Sequence, residues 1–312
     1  MSGGATVALL GVAVEEGAGR RGCAMGPAAY RTAKLAEELR SLGLDVRDDG
    51  DVVAEAVVDV ATTVGQVKHL GAVAGWTRAI HARALERAKA PETPIYLGGD
   101  HSLALGTVPA HAAAAAAAVH PFFVLWLDAH ADFNTFETSE TGHLHGMPLA
   151  YACGLPGFDA LLGRPLQVAV DPSNVCILGL RSVDQRERDL VAGHGIEVHD
   201  MRALDEVGVL RSLQPFLDRV AAAGGMLHVS LDVDFLDPDI APAVGTTVPG
   251  GATFREAHSV MELLHESRLV TSLDLVELNP FLDVRGRTAR LMVDLTASLF
   301  GRRVMDRATR SY

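Results

Sequence analysis

The run FFVLWLDAHADFNT, residues 122 to 135, passes from six apolar residues straight into Asp128, His130 and Asp132, three ionisable groups spaced two apart. An unbroken apolar run of this length reads as a strand buried on both faces. Alternate side chains of a strand point the same way, so the three groups leave the strand's end on one side. Unpaired, they would be costly to bury. The run HVSLDVDFLDP repeats the arrangement with Asp232 and Asp234, and PIYLGGDHS ends in Gly98, Gly99, Asp100 and His101. The paired glycines there are expected to permit a tight turn that carries a side chain over the sheet edge.

Three strand ends therefore supply four carboxylates and two imidazoles: His101, Asp128, His130, Asp132, Asp232 and Asp234. Carboxylates crowded into a dry site repel one another, and two divalent cations would neutralise four of them. Oxygen-rich donors with some imidazole and no thiolate suit manganese first, with cobalt, nickel or iron compatible, whereas structural zinc prefers Cys and His. Asp100 by itself reads as a cap or turn former, and Asp237 and Asp239 read as turn residues. The strand TSLDLVELNP is apolar except for Asp274 and Glu277, and a buried carboxylate at its carboxyl end needs a positive partner. His145, in GHLHGMPLA, is suited to donate or accept a proton near neutral pH.

The elements that must position these groups are short apolar runs alternating with longer amphipathic or Ala-rich ones, the pattern of an α/β fold with a parallel sheet covered by helices. Strands are predicted at 6–14, 94–98, 122–128, 174–179, 195–199, 227–234 and 269–276, with a weaker one near 44–47. Helices are predicted at 27–42, 62–90, 102–118, 209–223, 253–266 and 288–300. The alanine run from Ala112 to Ala118 reads as filler on a helix surface. No linker divides the pattern, so residues 1–312 are read as one domain. The loop from Asn134 to Gly146 follows a strand directly, where ligands bind in open α/β sheets.

Composition narrows the functional classes. With 48% hydrophobic and 21% charged residues the chain has ample material for a core, and it contains no apolar run long enough to span a bilayer. The run ATVALLGVAV lacks the basic segment and cleavage site of a signal peptide and reads as a first strand. A net charge of −12 argues against a nucleic-acid or anionic-membrane surface. Three widely spaced cysteines, Cys23, Cys153 and Cys176, form neither a zinc spacing nor a disulfide framework, so a reducing cytoplasm is expected.

The stretches GGDHS, DAHADFNT, HGMPLA, SLDVDFLDP with GTTVPGG after it, and VELNP resemble in order and spacing those of the ureohydrolase family, and within it the arginase group. RRGCAMGPAAYR near the start and LDVRGRTARLMVDLTASLFG near the end extend the resemblance over essentially the whole chain. It implies a single three-layer α/β/α domain with an eight-stranded parallel sheet and two Mn²⁺ ions bridged by a hydroxide. By resemblance, His101, Asp128, Asp132 and Asp232 would hold one ion and Asp128, His130, Asp232 and Asp234 the other, with Asp128 and Asp232 bridging. Glu277 would pair with the nitrogens of a guanidinium, Asp132 would relay a proton to the leaving amine, and His145 would shuttle protons or orient the attack. Asn134, Ser139 and Thr141 would hold an α-carboxylate and Asp184 an α-amino group.

The resemblance thus implies hydrolysis of L-arginine to L-ornithine and urea by a homotrimer or homohexamer. The nearest alternative is agmatine or another guanidino compound. Two segments depart from the usual arginase pattern: Thr141-Gly142-His143 stands where Ser-Gly-Asn is common, and Arg181-Ser182-Val183-Asp184 where Arg-Asp-x-Asp is common. Both bear on the α-carboxylate end, with His143 expected to face solvent. A single-zinc deacetylase would need fewer ligands than the six present, and a subunit without catalysis would have no use for His145 and Glu277 beside them.

Overall fold

The computed structural model describes residues 6–57, 60 and 67–303. Eight strands, β1 (Thr6–Val12), β2 (Asp45–Asp51), β3 (Thr93–Gly98), β4 (Phe122–Leu127), β5 (Val175–Leu180), β6 (Glu197–Asp200), β7 (Met226–Asp232) and β8 (Val270–Val276), form one sheet in the order β2-β1-β3-β8-β7-β4-β5-β6. Every neighbouring pair is parallel. Each predicted strand is present.

Period-two alternation explains the unbroken apolar runs. In β4, Phe123, Leu125 and Leu127 enter a core shared with the helices Gly26–Thr32, Leu35–Arg40, Val209–Ala222, Phe254–Ser267 and Arg287–Leu299. Phe122, Val124 and Trp126 enter the core on the other face, beneath the helices Leu70–Arg87 and Ala104–Ala117. A strand covered on both sides has no polar face to show.

Three helix predictions need correction. The helix expected at 27–42 is two, broken at Lys34, which takes a left-handed φ of 66°. In one straight helix Tyr30 and Leu35 would point about 140° apart, and the break lets both bury completely. The helix expected at 62–90 runs from Leu70 to Arg87, and residues 62–66 lie outside the described residues. The alanine run is only partly surface filler. Ala112, Ala114 and Ala115 are buried, because a small side chain lets the helix Ala104–Ala117 lie close to the sheet, while Ala116–Ala118 are exposed. The described structure adds helices at Gln185–His194 and Met201–Val207 that the pattern did not announce. Both are too polar for a clear apolar stripe.

Asp274, mid-strand in β8, is fully buried and accepts from Thr107 Oγ1 at 2.7 Å, with His228 Nε2 at 3.1 Å. Both partners satisfy Oδ2, while the buried Oδ1 has no hydrogen-bond partner.

Candidate metal centre and active site

Strand order assembles the site. The consecutive central strands β3, β8, β7 and β4 end in His101, Glu277, Asp232 and Asp128, so residues far apart in the chain meet at one carboxyl edge. Gly98 and Gly99 help by close approach, and neither has a left-handed φ. A Cβ on Gly99 would lie 1.8 Å from the carbonyl oxygen of Val14, and one on Gly98 2.5 Å from that of Leu275. The amide of Glu277 bonds the Gly99 carbonyl at 2.8 Å, tying β8 to β3.

The two Asp strand ends fold alike. Asp128 Oδ1 accepts the His130 amide and Asp232 Oδ1 the Asp234 amide, each at 2.7 Å. Each turn fixes its first carboxylate and swings the next donor beside it. His101 Nδ1 then faces Oδ2 of Asp128, Asp132 and Asp232 at 3.1, 3.0 and 3.1 Å. His130 Nδ1 lies 3.4 Å from Asp128 Oδ1 and 3.0 Å from Asp234 Oδ2. Two groups with metal-ligand geometry result: His101, Asp128 and Asp232, and Asp128, His130 and Asp234. Asp128 offers a different oxygen to each, while Asp232 enters only the first.

These groups are poorly compensated by protein alone. Burial and then the Asp128 charge raise the Asp132 carboxyl and push Asp234 up to about 6. Burial opposes the charge on His130, but Asp234 and Asp128 override it and push the imidazole up to about 12. Buried His101 Nδ1 and Asp128 Oδ2 have no aligned hydrogen-bond partner despite their proximity. Convergence of acceptor oxygens on one ring nitrogen without hydrogen-bond geometry is what a divalent cation's donor set requires, and the absence of thiolate fits a hard ion.

Glu277 has the positive partner its burial demands: Oε1 accepts from His145 Nδ1 and the His101 amide, both at 2.9 Å, and Cys23 Sγ lies 3.6 Å from Oε2. Burial opposes charge on both members. The pairing overrides it, holding Glu277 below the usual carboxyl range and pushing His145 up to about 9. Asp132 and Glu277 sit at φ 48° and 63°, in the sparsely populated left-handed region. Asp100 has the structural role expected of it, accepting from Ser102 and from the Ala18 amide. Asp237 likewise holds the amides of Asp239, Gly250 and Gly251.

A cavity of about 260 Å³ opens over these groups, and Asn134, Ser139, Thr141, His145, Asp184 and Glu277 all line it. Asn134 Nδ2 donates to Asp184 Oδ2 at 3.2 Å, and Asp184 Oδ1 caps the helix Gln185–His194 through the Glu187 amide at 2.9 Å. Ser139 and Thr141 hydroxyl oxygens accept the amides of Gly142 and His143. His143 is partly exposed. Its Nε2 lies 3.0 Å from Lys68 Nζ, and burial together with that ammonium lowers its pKa.

The arginase family model matches residues 5–301. The arginase of Agrobacterium fabrum is 56% identical over 307 residues, 98% of this chain and 94% of that protein. That of Brucella melitensis biotype 1 is 56% identical over 304 residues, 97% and 99% of the two chains. The native structure of the arginase from Bacillus caldovelox superposes with a TM-score of 0.88 at 36% identity, covering 96% of this chain and all of that one. The chain belongs to the arginase family. It is a metal-dependent hydrolase of the α/β class.

Several supports of this arginase-family site escaped the sequence reading. The Trp126 ring stacks on His101 at 4.0 Å between centroids, and Ser230 Oγ lies 2.8 Å from His101 Nε2, leaving Nδ1 for the carboxylate side. Both stand two residues before a strand-end Asp, so period-two alternation carried the signal. Thr246 Oγ1 donates to Asp234 Oδ2 at 3.2 Å. Arg181 reaches the carbonyls of Gly179, Asp234 and Val248, bolting the Asp-x-Asp turn to the GTTVPGG loop. Glu187, buried under the cavity, accepts the Phe133 amide at 2.9 Å, and burial pushes it up to about 8. No local pattern marks it.

Proposed function

We propose that this chain, residues 1–312 as one catalytic domain, hydrolyses L-arginine to L-ornithine and urea with two Mn²⁺ ions held by His101, Asp128, His130, Asp132, Asp232 and Asp234. The observation that carries the reading is the convergence of three carboxylate oxygens at 3.0 to 3.1 Å on His101 Nδ1, with Asp128 facing both donor groups. When bound, the cations supply Lewis acidity that turns water into a nucleophile near neutral pH.

The remaining work falls to the protein. A guanidinium is resonance-stabilised and resists attack, so it must be held flat and electrophilic. Glu277, kept ionised by His145 and the His101 amide, pairs with its nitrogens. Asp132 carries a proton to the leaving amine. His145, 18% exposed at its side chain, passes to solvent the proton that an incoming water gives up when the nucleophile is restored. Asn134, Ser139 and Thr141 receive the α-carboxylate and Asp184 the α-amino group at the cavity mouth.

Two further parts of the reading are a homotrimer or homohexamer and a cytoplasmic location. Cysteines that are all free support the location, and no described helix is long and apolar enough to cross a membrane. Agmatine would forgo the hydrogen bonds that Asn134, Ser139 and Thr141 offer a carboxylate. Urea release by protein reloaded with Mn²⁺, with L-arginine and agmatine in parallel, decides. Arginine turnover exceeding agmatine turnover by orders of magnitude supports the proposal. Agmatine turnover at a comparable rate, or no urea from either, overturns it.

A further inference from the structure

At the other edge of the sheet, β5 and β6 pair with Cys176 opposite Glu197 and Leu178 opposite His199. Opposed residues share a face, as do residues two apart, so Cys176, Glu197 and His199 project from one side. The thiol sulfur, a carboxylate oxygen and a ring nitrogen all lie within 4.8 Å of one another. Cys176 forms the buried floor, while the Glu197 and His199 side chains are each 22% exposed. His199 Nε2 lies 2.7 Å from Glu197 Oε1, and Arg219 Nη2 grips Oε2 at 2.6 Å. Arginine thus occupies one carboxylate oxygen and leaves the other turned toward the imidazole.

We propose that Cys176, Glu197 and His199 form a second metal site, separate from the catalytic cavity, for a borderline-soft divalent cation of the Zn²⁺ type. Thiolate, imidazole and carboxylate are the donors such an ion takes, and water from the exposed side supplies the fourth. Bond lengths of about 2.0 to 2.3 Å put tetrahedral donors about 3.3 to 3.7 Å apart, so His199 Nε2 and Glu197 Oε1, 2.7 Å apart, open slightly while the thiol draws in around an ion. Burial, reinforced by Glu197, keeps Cys176 a thiol in the metal-free protein. On binding, the S–H bond breaks, a sulfur–metal bond forms and the proton passes to solvent, with no electron transferred. The ion would tie the edge strand β6 to β5. Its donors are distinct in kind from the carboxylate-rich centre, which contains no thiolate.

The test is a titration of the Mn²⁺-loaded full chain with Co²⁺, followed by optical absorption. A thiolate-to-cobalt charge-transfer band in the near ultraviolet is expected, displaced by Zn²⁺ and abolished by Cys176→Ser. His199→Gln, at a partly exposed position, should weaken the affinity read from the band by at least about tenfold. No band at saturating Co²⁺, or a band that survives Cys176→Ser, overturns the proposal. Should Cys176→Ser fail to fold, the partly exposed variant decides alone, and unchanged affinity in His199→Gln overturns it.

Discussion

Asp128 and Glu277 show how one side chain can serve two partners. Asp128 points Oδ2 at His101 and Oδ1 at His130, so Asp128→Asn should deplete both cations, whereas Asp234→Asn should deplete chiefly one. Metal content after gel filtration checks this, and an Asp128→Asn protein that keeps two ions would contradict it. Glu277 combines a buried charge with a left-handed backbone and two donors on Oε1. Glu277→Gln keeps the shape and removes the charge, so kcat/KM for L-arginine should fall at least about thirtyfold, the equivalent of about 2 kcal/mol. Steady-state kinetics on folded, metal-loaded protein reads it. The candidate donor residues stood out from type and spacing alone, because a carboxylate two residues from an imidazole at a strand end is a local feature. Their left-handed φ values were not, because Asp132 and Glu277 are held there by contacts such as the bonds from Leu149 N to Asp132 O and from Glu277 N to Gly99 O.

Elements place these residues through caps and close approaches, and both leave measurable traces. Asp184 caps the helix Gln185–His194 and also lines the cavity. Asp184→Asn retains a good cap and loses the charge, so KM for L-arginine should rise about tenfold or more with thermal stability unchanged. Asp184→Ala should add a loss of about 1 kcal/mol, seen as a melting temperature lower by roughly 1–2 °C. Equal KM values in wild type and Asp184→Asn would remove Asp184 from amine recognition. Gly99→Ala forces a Cβ to 1.8 Å from the Val14 carbonyl and should cost on the order of 3 kcal/mol or more in denaturant unfolding. Gly50→Ala, where only a positive φ of 75° opposes the change and nothing lies within 4 Å, should cost about 1–2 kcal/mol. Similar midpoints for the two variants would refute the close-approach account. The central strands were readable because they are continuous apolar runs between turn residues, whereas the edge strands β2, DVRDDGD, and β6, EVHD, carry a weaker signal. The break at Lys34 was not, since no Gly or Pro marks it and the gain comes from burying Tyr30 and Leu35 together.

Across the whole molecule, the acidic cluster couples stability to metal. Chelation should lower the melting temperature, and Mn²⁺ at a hundred times its dissociation constant should restore about 2.7 kcal/mol, or roughly 4 °C. A melting temperature indifferent to Mn²⁺ would show that the cluster is compensated without it. The chain's own order of residues determined the chemistry available: hard donors without thiolate, spaced to share a face, at the ends of strands in an α/β pattern. Those properties are local, set by side-chain type and the two-residue period of a strand. Only the tertiary structure decided that β3, β8, β7 and β4 lie side by side, that Ser230 takes one nitrogen of His101 and leaves the other for the carboxylates, and that Glu187 sits beneath the cavity. Strand order and ring orientation depend on contacts between residues far apart in the chain, whose energies arise only when both layers of helix close on the sheet.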